Sequence, residues 1–274
     1  MKRKLTILIS AIVAVMFIIP TLVIHANSVG IVFNGVTFYD DDKLLIDGVS
    51  YVPLRNCLGD RLGYEVDWQA DTKTAYIRAT GLEISCREGE SYMIANGRYL
   101  SVGAKNIIRE DRMYIPLRPL AKALGGDVKW DANTKYASVN IVRGFIQNGN
   151  NFYNENDVYW LSRIINAESR GEPLKGKIAV GNVVLNRVRS ANFPNNIKDV
   201  IFDTKFGVQF SPVSNGTIYN EPSDESIIAA KICLDGYSVT NTALYFINDS
   251  LASNHWVSEN CMYVMSIGSH DFYA

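Results

Sequence analysis

The chain has 274 residues, of which 47% are hydrophobic and 20% are charged, so it can bury a core and is not a disordered chain. Its length favours two domains. The net charge of -1 lacks the basic excess of a nucleic-acid-binding protein, and residues 151–274 hold 9 basic against 13 acidic side chains, a balance that suits a neutral or amide-rich substrate.

Residues 1–26 have the pattern of an export signal. Three basic residues at 2–4 precede an uncharged run at 5–24, and Ala26 offers a small residue for cleavage. The run is also long enough to span a membrane, so an uncleaved membrane anchor is the alternative. Pro20, near the end of the run, favours the signal peptide. In either case we expect a secreted or cell-envelope protein, acting outside the cytoplasmic membrane.

Residues 47–78 and 109–141 repeat one another. The sequence YVPLR at 51–55 recurs as YIPLR at 114–118, and LGYEVDW at 62–68 recurs as LGGDVKW at 124–130. Each copy predicts a short strand, a proline-started helix, a strand ending in tryptophan, a polar turn and another strand.

This repeat resembles the copper amine oxidase N-terminal-like stalk domain of exported bacterial proteins, and we place that domain at residues 27–145. Residues 27–150 contain no histidine, and their cysteine and methionine residues make no recognisable ligand set, so we expect neither copper nor another cofactor there. The expected role is a rigid spacer or a module that attaches to the cell-wall surface.

Four aromatic residues of the repeat have matched places in both copies. They are candidates for stacking on sugars, but matched places favour core packing for all four: Tyr51, Tyr114, Trp68 and Trp130.

Residues 146–155 are polar, rich in asparagine and interrupted by glycine. Such a composition is typical of a linker, so the second domain is expected at 156–274. Four cysteines in an exported chain permit the disulfides Cys57–Cys86 and Cys233–Cys261, and separate thiols are the alternative.

The second domain opens with a predicted helix that carries Glu168. Three aliphatic residues precede Glu168 by seven, four and three positions, which places its carboxylate on their face of the helix: Leu161, Ile164 and Ile165. Asn156 or Asp157 is expected to cap the helix, and Gly171 and Pro173 to end it. A carboxyl half-buried at such an end has a raised pKa and suits a general acid. The alternative is a structural pair with a nearby arginine.

Two further helices are predicted. The helix at about 175–190 has a wide apolar face, and its Asn182 and Asn186 either hold Glu168 or a loop, or face solvent. The third helix covers 224–237, and the remainder is expected to form loops and short strands.

Several blocks of this region follow one another in a recognisable order: ESRGEP at 168–173, GKIAVGNVVLNRV at 176–188, QFSPV at 209–213, ALYF at 243–246, HW at 255–256 and GSHDFY at 268–273. Together they resemble the SleB-type cell-wall hydrolases, which include the spore-cortex-lytic enzymes. The resemblance implies a mainly helical, lysozyme-like domain with a small sheet. The predicted fold class is therefore α+β, with two domains.

The residues restrict the chemistry. Beyond residue 26 the only histidines are His255 and His270, and no His-Glu-x-x-His motif is present, so a zinc amidase or peptidase has little support. A thiol nucleophile would require Cys233 or Cys261 beside one of these histidines. We expect no metal and no cofactor, and keep an N-acetylmuramoyl-L-alanine amidase as an alternative.

Cleavage of a glycosidic bond normally needs two carboxylates. Four acids of this domain are candidates for the second carboxylate, although none lies in a clear motif: Glu172, Asp203, Asp249 and Asp271. The resemblance implies instead a lytic transglycosylase in which Glu168 alone serves as acid and base between N-acetylmuramic acid and N-acetylglucosamine. A wall-binding protein without turnover is the other alternative.

The expected partner is the glycan strand of peptidoglycan, from the vegetative wall or from spore cortex. Growth, sporulation and germination are therefore all compatible roles. The sequence does not indicate an oligomeric state. Amide and hydroxyl groups suit the N-acetyl and hydroxyl groups of sugars, and aromatic faces suit sugar rings. The candidate substrate-binding residues are Gln209, Ser211, Tyr245, Asn248, Trp256 and His270.

Overall fold

The computed structural model describes residues 30–33, 36–38, 44–134, 136–141, 144–205, 207–248, 250 and 255–274. The expected signal at 1–26 lies outside these residues and stays a prediction. No helix among the described residues is long and apolar enough to cross a bilayer. The fold is α+β with two domains, as the sequence predicted.

The N-terminal domain is mostly β-structure. Its strands β1 to β13 are, in chain order, Gly30–Phe33, Val36–Phe38, Leu44–Ile46, Val49–Pro53, Glu65–Gln69, Thr74–Ala79, Leu82–Arg87, Tyr92–Ala95, Arg98–Ser101, Ile107–Arg109, Arg112–Pro116, Gly126–Asp131 and Tyr136–Ile141. A π-helical turn at Arg55–Asp60 follows β4, and the helix α1 at Leu117–Ala123 follows β11.

The internal repeat determines how these strands pair. β4 and β11, which open the two copies, pair antiparallel with Val52 opposite Ile115. Each copy then has its helical turn and a hairpin, β5–β6 in the first copy and β12–β13 in the second. The sheets have the orders β12-β13-β1-β2, β10-β11-β4-β3 and β5-β6-β7-β8-β9.

The matched aromatic residues of the repeat differ in burial. Tyr51 and Tyr114 are core residues with 4% and 3% of their surface exposed, as expected. The expectation of core packing is wrong for Trp68 and Trp130, which are 43% and 46% exposed. The strands β5 and β12 that carry them present mostly exposed side chains, so the two indoles lie on the surface.

The C-terminal domain is mainly helical with a small sheet, as predicted. Its helices, with the short α2 that precedes them, are α2 Gly149–Phe152, α3 Glu155–Ser169, α4 Leu174–Arg189, α5 Ile197–Ile201, α6 Ser211–Asn215, α7 Asp224–Leu234 and α8 Trp256–Asn260, with a 3-10 turn at Thr217–Tyr219. The strands are β14 Tyr245–Ile247, β15 Tyr263–Ile267 and β16 His270–Tyr273, in the order β14-β16-β15.

The aliphatic faces of α3, α4 and α7 form the core of this domain. The cap of α3 is Asn154, whose side chain accepts a hydrogen bond from the amide of Asp157. Asn154 lies two residues before Asn156, the earlier of the two expected caps. Asn182 and Asn186 are buried and hold the loop after α7 through bonds to Tyr237 and Thr240. Of the alternatives for these two amides, contact with Glu168, contact with a loop or exposure to solvent, the structure shows contact with a loop.

The segment at 146–155, expected to be a linker, packs along the N-terminal domain. Gly149 donates its amide to the carbonyl of Asn96 at 2.8 Å, and a Cβ atom at this glycine would lie 2.6 Å from the carbonyl oxygen of Gly97. Gly149 therefore permits close backbone packing here, which the composition alone did not indicate.

A charged cluster joins the two domains at Asp235, just after α7. Its carboxylate accepts bidentate hydrogen bonds from Arg98 and single bonds from Lys122 and Tyr153. Only 2% of the Asp235 side chain and 9% of the Arg98 side chain are exposed. The pair of Arg98 and Asp235 is therefore a buried ionic contact between β9 and the C-terminal domain, and Lys122 of α1 binds it from the solvent side with 45% of its side chain exposed.

Of the cysteine alternatives, the structure has separate thiols. Cys86, Cys233 and Cys261 are unpaired, so neither expected disulfide is formed. The Cys233 thiol donates to the carbonyl of Ile178 at 3.4 Å inside the helical core, and burial raises its pKa.

Candidate active site

A groove of about 1140 Å³ runs across the C-terminal domain where α3 and α4 meet the β14 strand. Its lining is Glu168, Arg187, Asn192, Phe193, Lys205, Val208, Gln209, Phe210, Ser211, Leu244, Tyr245, Phe246, Ile247, Trp256 and Val257. The lining combines aromatic rings with a small number of polar groups, which is typical of a ligand site.

Glu168 lies in the last turn of α3 and opens into this groove, half-buried. Burial raises the pKa of its carboxyl to about 7, while the positive charge of Arg187 acts in the opposite direction. Among the described residues, the carboxylate has no ion-pair partner within 4 Å and accepts no hydrogen bond. The structural pairing with an arginine that the sequence left open is therefore not formed, and the carboxyl is available to a ligand.

Arg187 is the main cation of the groove. Its Nε donates to the carbonyl of Leu244 at 2.7 Å, and one terminal nitrogen donates to Gln209 at 3.4 Å. Three aromatic rings surround the guanidinium at 5.0 to 5.4 Å from their centroids: Phe193, Phe210 and Tyr245. Burial lowers its pKa to about 10, so the group stays charged at neutral pH.

Of the described residues that line the groove, Glu168 alone carries a carboxylate. Glu172 lies outside the groove, where its carboxylate accepts hydrogen bonds from the amide and hydroxyl of Ser269, and these bonds lower its pKa. Asp271 binds the hydroxyl of Ser266, and Asp203 accepts the amide of Lys205. Asp249 lies outside the described residues.

Four of the six predicted substrate-binding residues line the groove. Gln209 lies before α6 and Ser211 begins it. The rings of Tyr245 and Trp256 pack edge to face, with their centroids 6.4 Å apart. Trp256 is 53% exposed, so its ring is open to a ligand. Their roles in binding stay predictions.

The other two predicted residues lie elsewhere. His270 begins β16 and is buried behind the groove wall, with its ring 5.3 Å from that of Phe246 and no hydrogen-bond partner for Nδ1 among the described residues. Burial lowers its pKa. Asn248 follows β14 and accepts a hydrogen bond from Ser250 at 2.6 Å, and it is not part of the groove lining.

A buried lysine secures the end of the helix that carries Glu168. Lys177 of α4 is only 2% exposed, and its Nζ donates to the carbonyls of Arg170 and Glu172 just after α3. It also forms an ion pair with Glu225 at 2.7 Å. Because the last carbonyls of a helix lack partners within it, this lysine fixes the turn that follows Glu168.

The sequence did not identify Arg187 as part of the site. It is one of the nearby arginines that the sequence offers only as structural partners of Glu168, with Arg163 and Arg170, and a cation in the last turn of an amphipathic helix is common. Phe193, Lys205 and Val208 were not identified either. The block GKIAVGNVVLNRV was the available signal, since it ends one residue after Arg187.

Comparisons with known proteins agree with both predicted resemblances. Residues 171–273 match the family model described as Cell Wall Hydrolase, and residues 32–139 match the one described as Copper amine oxidase N-terminal domain. This confirms the family expected for each of the two regions. The hydrolase match begins three residues after Glu168, so the role of that residue depends on geometry.

The chain is 37% identical over 122 residues to a spore cortex-lytic enzyme of Bacillus cereus, covering 44% of this chain and 46% of that one. A spore cortex-lytic enzyme of Oceanobacillus iheyensis is 33% identical over 135 residues, or 49% and 45% of the two chains. The chain thus spans about half the length of these relatives. The catalytic domain of the germination-specific lytic transglycosylase SleB from Bacillus anthracis matches at 36% identity and a TM-score of 0.41, covering 47% of this chain and 100% of that structure.

The copper in the name of the N-terminal family does not fit this chain. The matched residues 32–139 contain no histidine, the ligand that copper sites most often use with cysteine and methionine. Among the described residues, no three His, Cys, Asp or Glu side chains are grouped as a metal would need.

Proposed function

Because residues 171–273 match the cell wall hydrolase family, we propose that this chain is an exported enzyme that cleaves the glycan strand of peptidoglycan. The bond is the one between N-acetylmuramic acid and N-acetylglucosamine, in cell wall or spore cortex. The observation that supports this most is Glu168, a half-buried carboxyl with a pKa raised to about 7 inside the groove. Its relatives are described as spore cortex-lytic enzymes, and this description favours cortex as the substrate.

In the first step the protonated Glu168 donates its proton to the oxygen between the two sugars, and the bond from that oxygen to the anomeric carbon of the muramic residue breaks. Proton donation leaves a carboxylate, which the charge of Arg187 stabilises. General acid catalysis of this kind contributes about 10²–10⁴ in rate, and the groove must supply the rest by positioning the glycan.

In the second step the Glu168 carboxylate takes the proton of the muramic 6-hydroxyl, whose oxygen bonds to the anomeric carbon and closes a 1,6-anhydro ring. The carboxyl thereby regains its proton, and no water is consumed. A single acid suffices for this sequence, which agrees with Glu168 being the one carboxylate among the described residues of the groove. A hydrolase with two carboxylates would need a second acid at a fixed separation.

The rest of the groove supports a glycan substrate. Gln209 and Ser211 offer amide and hydroxyl groups at one side, and Tyr245 and Trp256 offer aromatic faces at the other. The N-terminal domain, in this proposal, attaches the enzyme to the surface of the wall.

The test is digestion of purified peptidoglycan by the full chain, with the soluble products analysed by mass spectrometry. Muropeptides that end in anhydro-muramic acid, lighter by one water than hydrolysis products, support the proposal. Products with reducing muramic ends indicate a hydrolase, and free peptides with intact glycan indicate an amidase.

A further inference from the structure

Trp68 and Trp130 occupy the same place in the two copies of the N-terminal repeat. Trp68 on β5 lies opposite Ala75 on β6, and Trp130 on β12 lies opposite Ala137 on β13. An alanine covers little of an indole ring, and both tryptophans keep almost half of their surface exposed. Core packing explains the buried tyrosines of the repeat but not these two rings.

A cleft lies beside each tryptophan. The first has a volume of about 310 Å³ and the second about 420 Å³. The same positions of the repeat line both clefts. They are a leucine and an exposed arginine that follow the proline at the end of a strand, and the valine two residues before the tryptophan. These residues are Leu54, Arg55 and Val66 in the first copy and Leu117, Arg118 and Val128 in the second. The chain thus contains one kind of surface cleft twice.

The chemistry of the clefts suits one class of ligand. An exposed indole offers an apolar face with a polar edge, which suits the C–H face of a sugar ring. A guanidinium beside it donates several hydrogen bonds in a plane and matches carbonyl and carboxylate oxygens. Peptidoglycan has both groups, in the N-acetyl carbonyls of its sugars and the carboxylates of its peptides.

We propose that the Trp68 and Trp130 clefts are two glycan-binding sites. In each, a sugar of a peptidoglycan strand stacks on the indole face, and Arg55 or Arg118 donates hydrogen bonds to the neighbouring acyl or carboxylate oxygens. This rests on the proposed function, which makes peptidoglycan the polymer at hand. When both sites of one domain engage the same polymer, their contributions to the binding constant multiply.

The test is cosedimentation of the full chain with insoluble peptidoglycan freed of wall teichoic acid. The chain carries Glu168→Gln so that the polymer stays intact. Trp68→Ala and Trp130→Ala are each expected to weaken binding about fivefold, and the double variant about 25-fold, in the range seen when a tryptophan at an interface is truncated. Tyr219→Ala, an exposed aromatic residue outside the clefts and the groove, is the control and is expected to bind as the parent does.

A second double variant, with Trp68→Tyr and Trp130→Tyr, keeps an aromatic face in each cleft and separates stacking from folding. Retention of most of the binding by this variant supports the inference. Three outcomes overturn the inference. The double alanine variant binds as the parent does, or the double alanine and double tyrosine variants lose binding equally, or the chain binds only to walls that retain teichoic acid.

Turnover is measured separately, on soluble glycan fragments with Glu168 in place. The double alanine variant is expected to cleave these fragments at the parental rate, because its substitutions lie outside the groove. If the parent cleaves nothing but its binding depends on the two tryptophans, the proposed function fails and the two sites stand. If cleavage is normal and the tryptophans have no effect, only the two sites fail.

Discussion

Arg98 and Asp235 form a bidentate ion pair between the two domains, with Nε–Oδ2 and Nη2–Oδ1 distances of 3.0 and 2.8 Å. Lys122 and Tyr153 bind the same carboxylate, and the pair is buried. A buried charge that loses its partner is costly, so this contact favours one relative orientation of the domains.

Replacing Asp235 by alanine is expected to leave the Arg98 guanidinium buried without its partner. The free energy of unfolding should fall by about 3–5 kcal/mol, the range for breaking a buried pair. Differential scanning calorimetry should show the two domains melting in separate transitions. Asp67→Ala, which breaks the exposed pair with Arg78, is the control and should cost less than about 1 kcal/mol. A single transition at the parental Tm would show that the pair does not couple the domains.

Glu168→Gln keeps the shape of the side chain but cannot donate a proton. We expect release of soluble muropeptides from purified peptidoglycan to fall by about 10²–10⁴. Asp203→Asn is the matched control, because Asp203 is an acid near Arg187 that is not part of the groove lining. Its activity should stay close to that of the parent. An equal loss in the two variants would indicate a second catalytic carboxylate and hydrolysis.

The raised pKa of Glu168 makes stability depend on pH. Because the pKa is about 7 in the folded protein and 4.5 is the ordinary value, the folded state holds this proton more tightly. The stabilisation is complete below about pH 4.5 and is lost as the pH rises through about 7. In urea titrations, Glu168→Gln should match the parent near pH 4 and exceed it by roughly 2–3 kcal/mol at pH 8. Lower stability than the parent at pH 8 would contradict the burial of this carboxyl.

Arg187→Met removes the charge that lowers the pKa of Glu168. The pKa of Glu168 should therefore rise further, and the alkaline limb of the pH–rate profile should move to higher pH. The value of kcat should also fall, because the Glu168 carboxylate loses the charge that stabilises it. Arg187→Lys retains a cation and should leave the limb closer to that of the parent. Profiles of muropeptide release against pH measure both. An alkaline limb that stays in place, or moves to lower pH, in the methionine variant would contradict an electrostatic role.

Lys177→Met leaves the carbonyls of Arg170 and Glu172 without this donor and removes the ion pair with Glu225. The expected cost is about 2–4 kcal/mol in the free energy of unfolding, together with lower activity, because the turn next to Glu168 loses its anchor. Lys175→Met is the matched control on the exposed side of the same helix and should change stability little. Thermal melts and activity on peptidoglycan measure the two effects. Equal stability of the two variants would show that the buried lysine does not secure the helix end.

The helices around Glu168 were predictable from sequence because the spacing of aliphatic residues reports directly on a helix face. The observed α4 lies within one residue of its predicted bounds at both ends, whereas the cap of α3 lies two or three residues before the expected caps. The partners of Arg187 were not predictable. It contacts Leu244 and Gln209, which are 57 and 22 positions away in the sequence, and only the folded chain brings them together.

The repeat shows a second limit of sequence reasoning. Matched aromatic residues in two copies indicate a shared environment, but the match does not say whether that environment is core or surface. Tyr51 and Tyr114 proved to be buried, and Trp68 and Trp130 proved to be exposed. What decides between the two is strand position: the tyrosines lie on the paired central strands β4 and β11, and the tryptophans lie on β5 and β12, each at the edge of its sheet.

If the N-terminal domain attaches to the wall as proposed, the buried Arg98–Asp235 pair also limits how far from that attachment the groove can reach. A flexible tether would let the groove sweep over any bond within its length, whereas a stiff joint presents the groove at one offset from the indole clefts. Under the proposed function, the chain would then cleave only bonds at a fixed distance from its attachment point, and each further cleavage would require the N-terminal domain to dissociate and bind again. Tighter attachment would therefore slow digestion instead of speeding it.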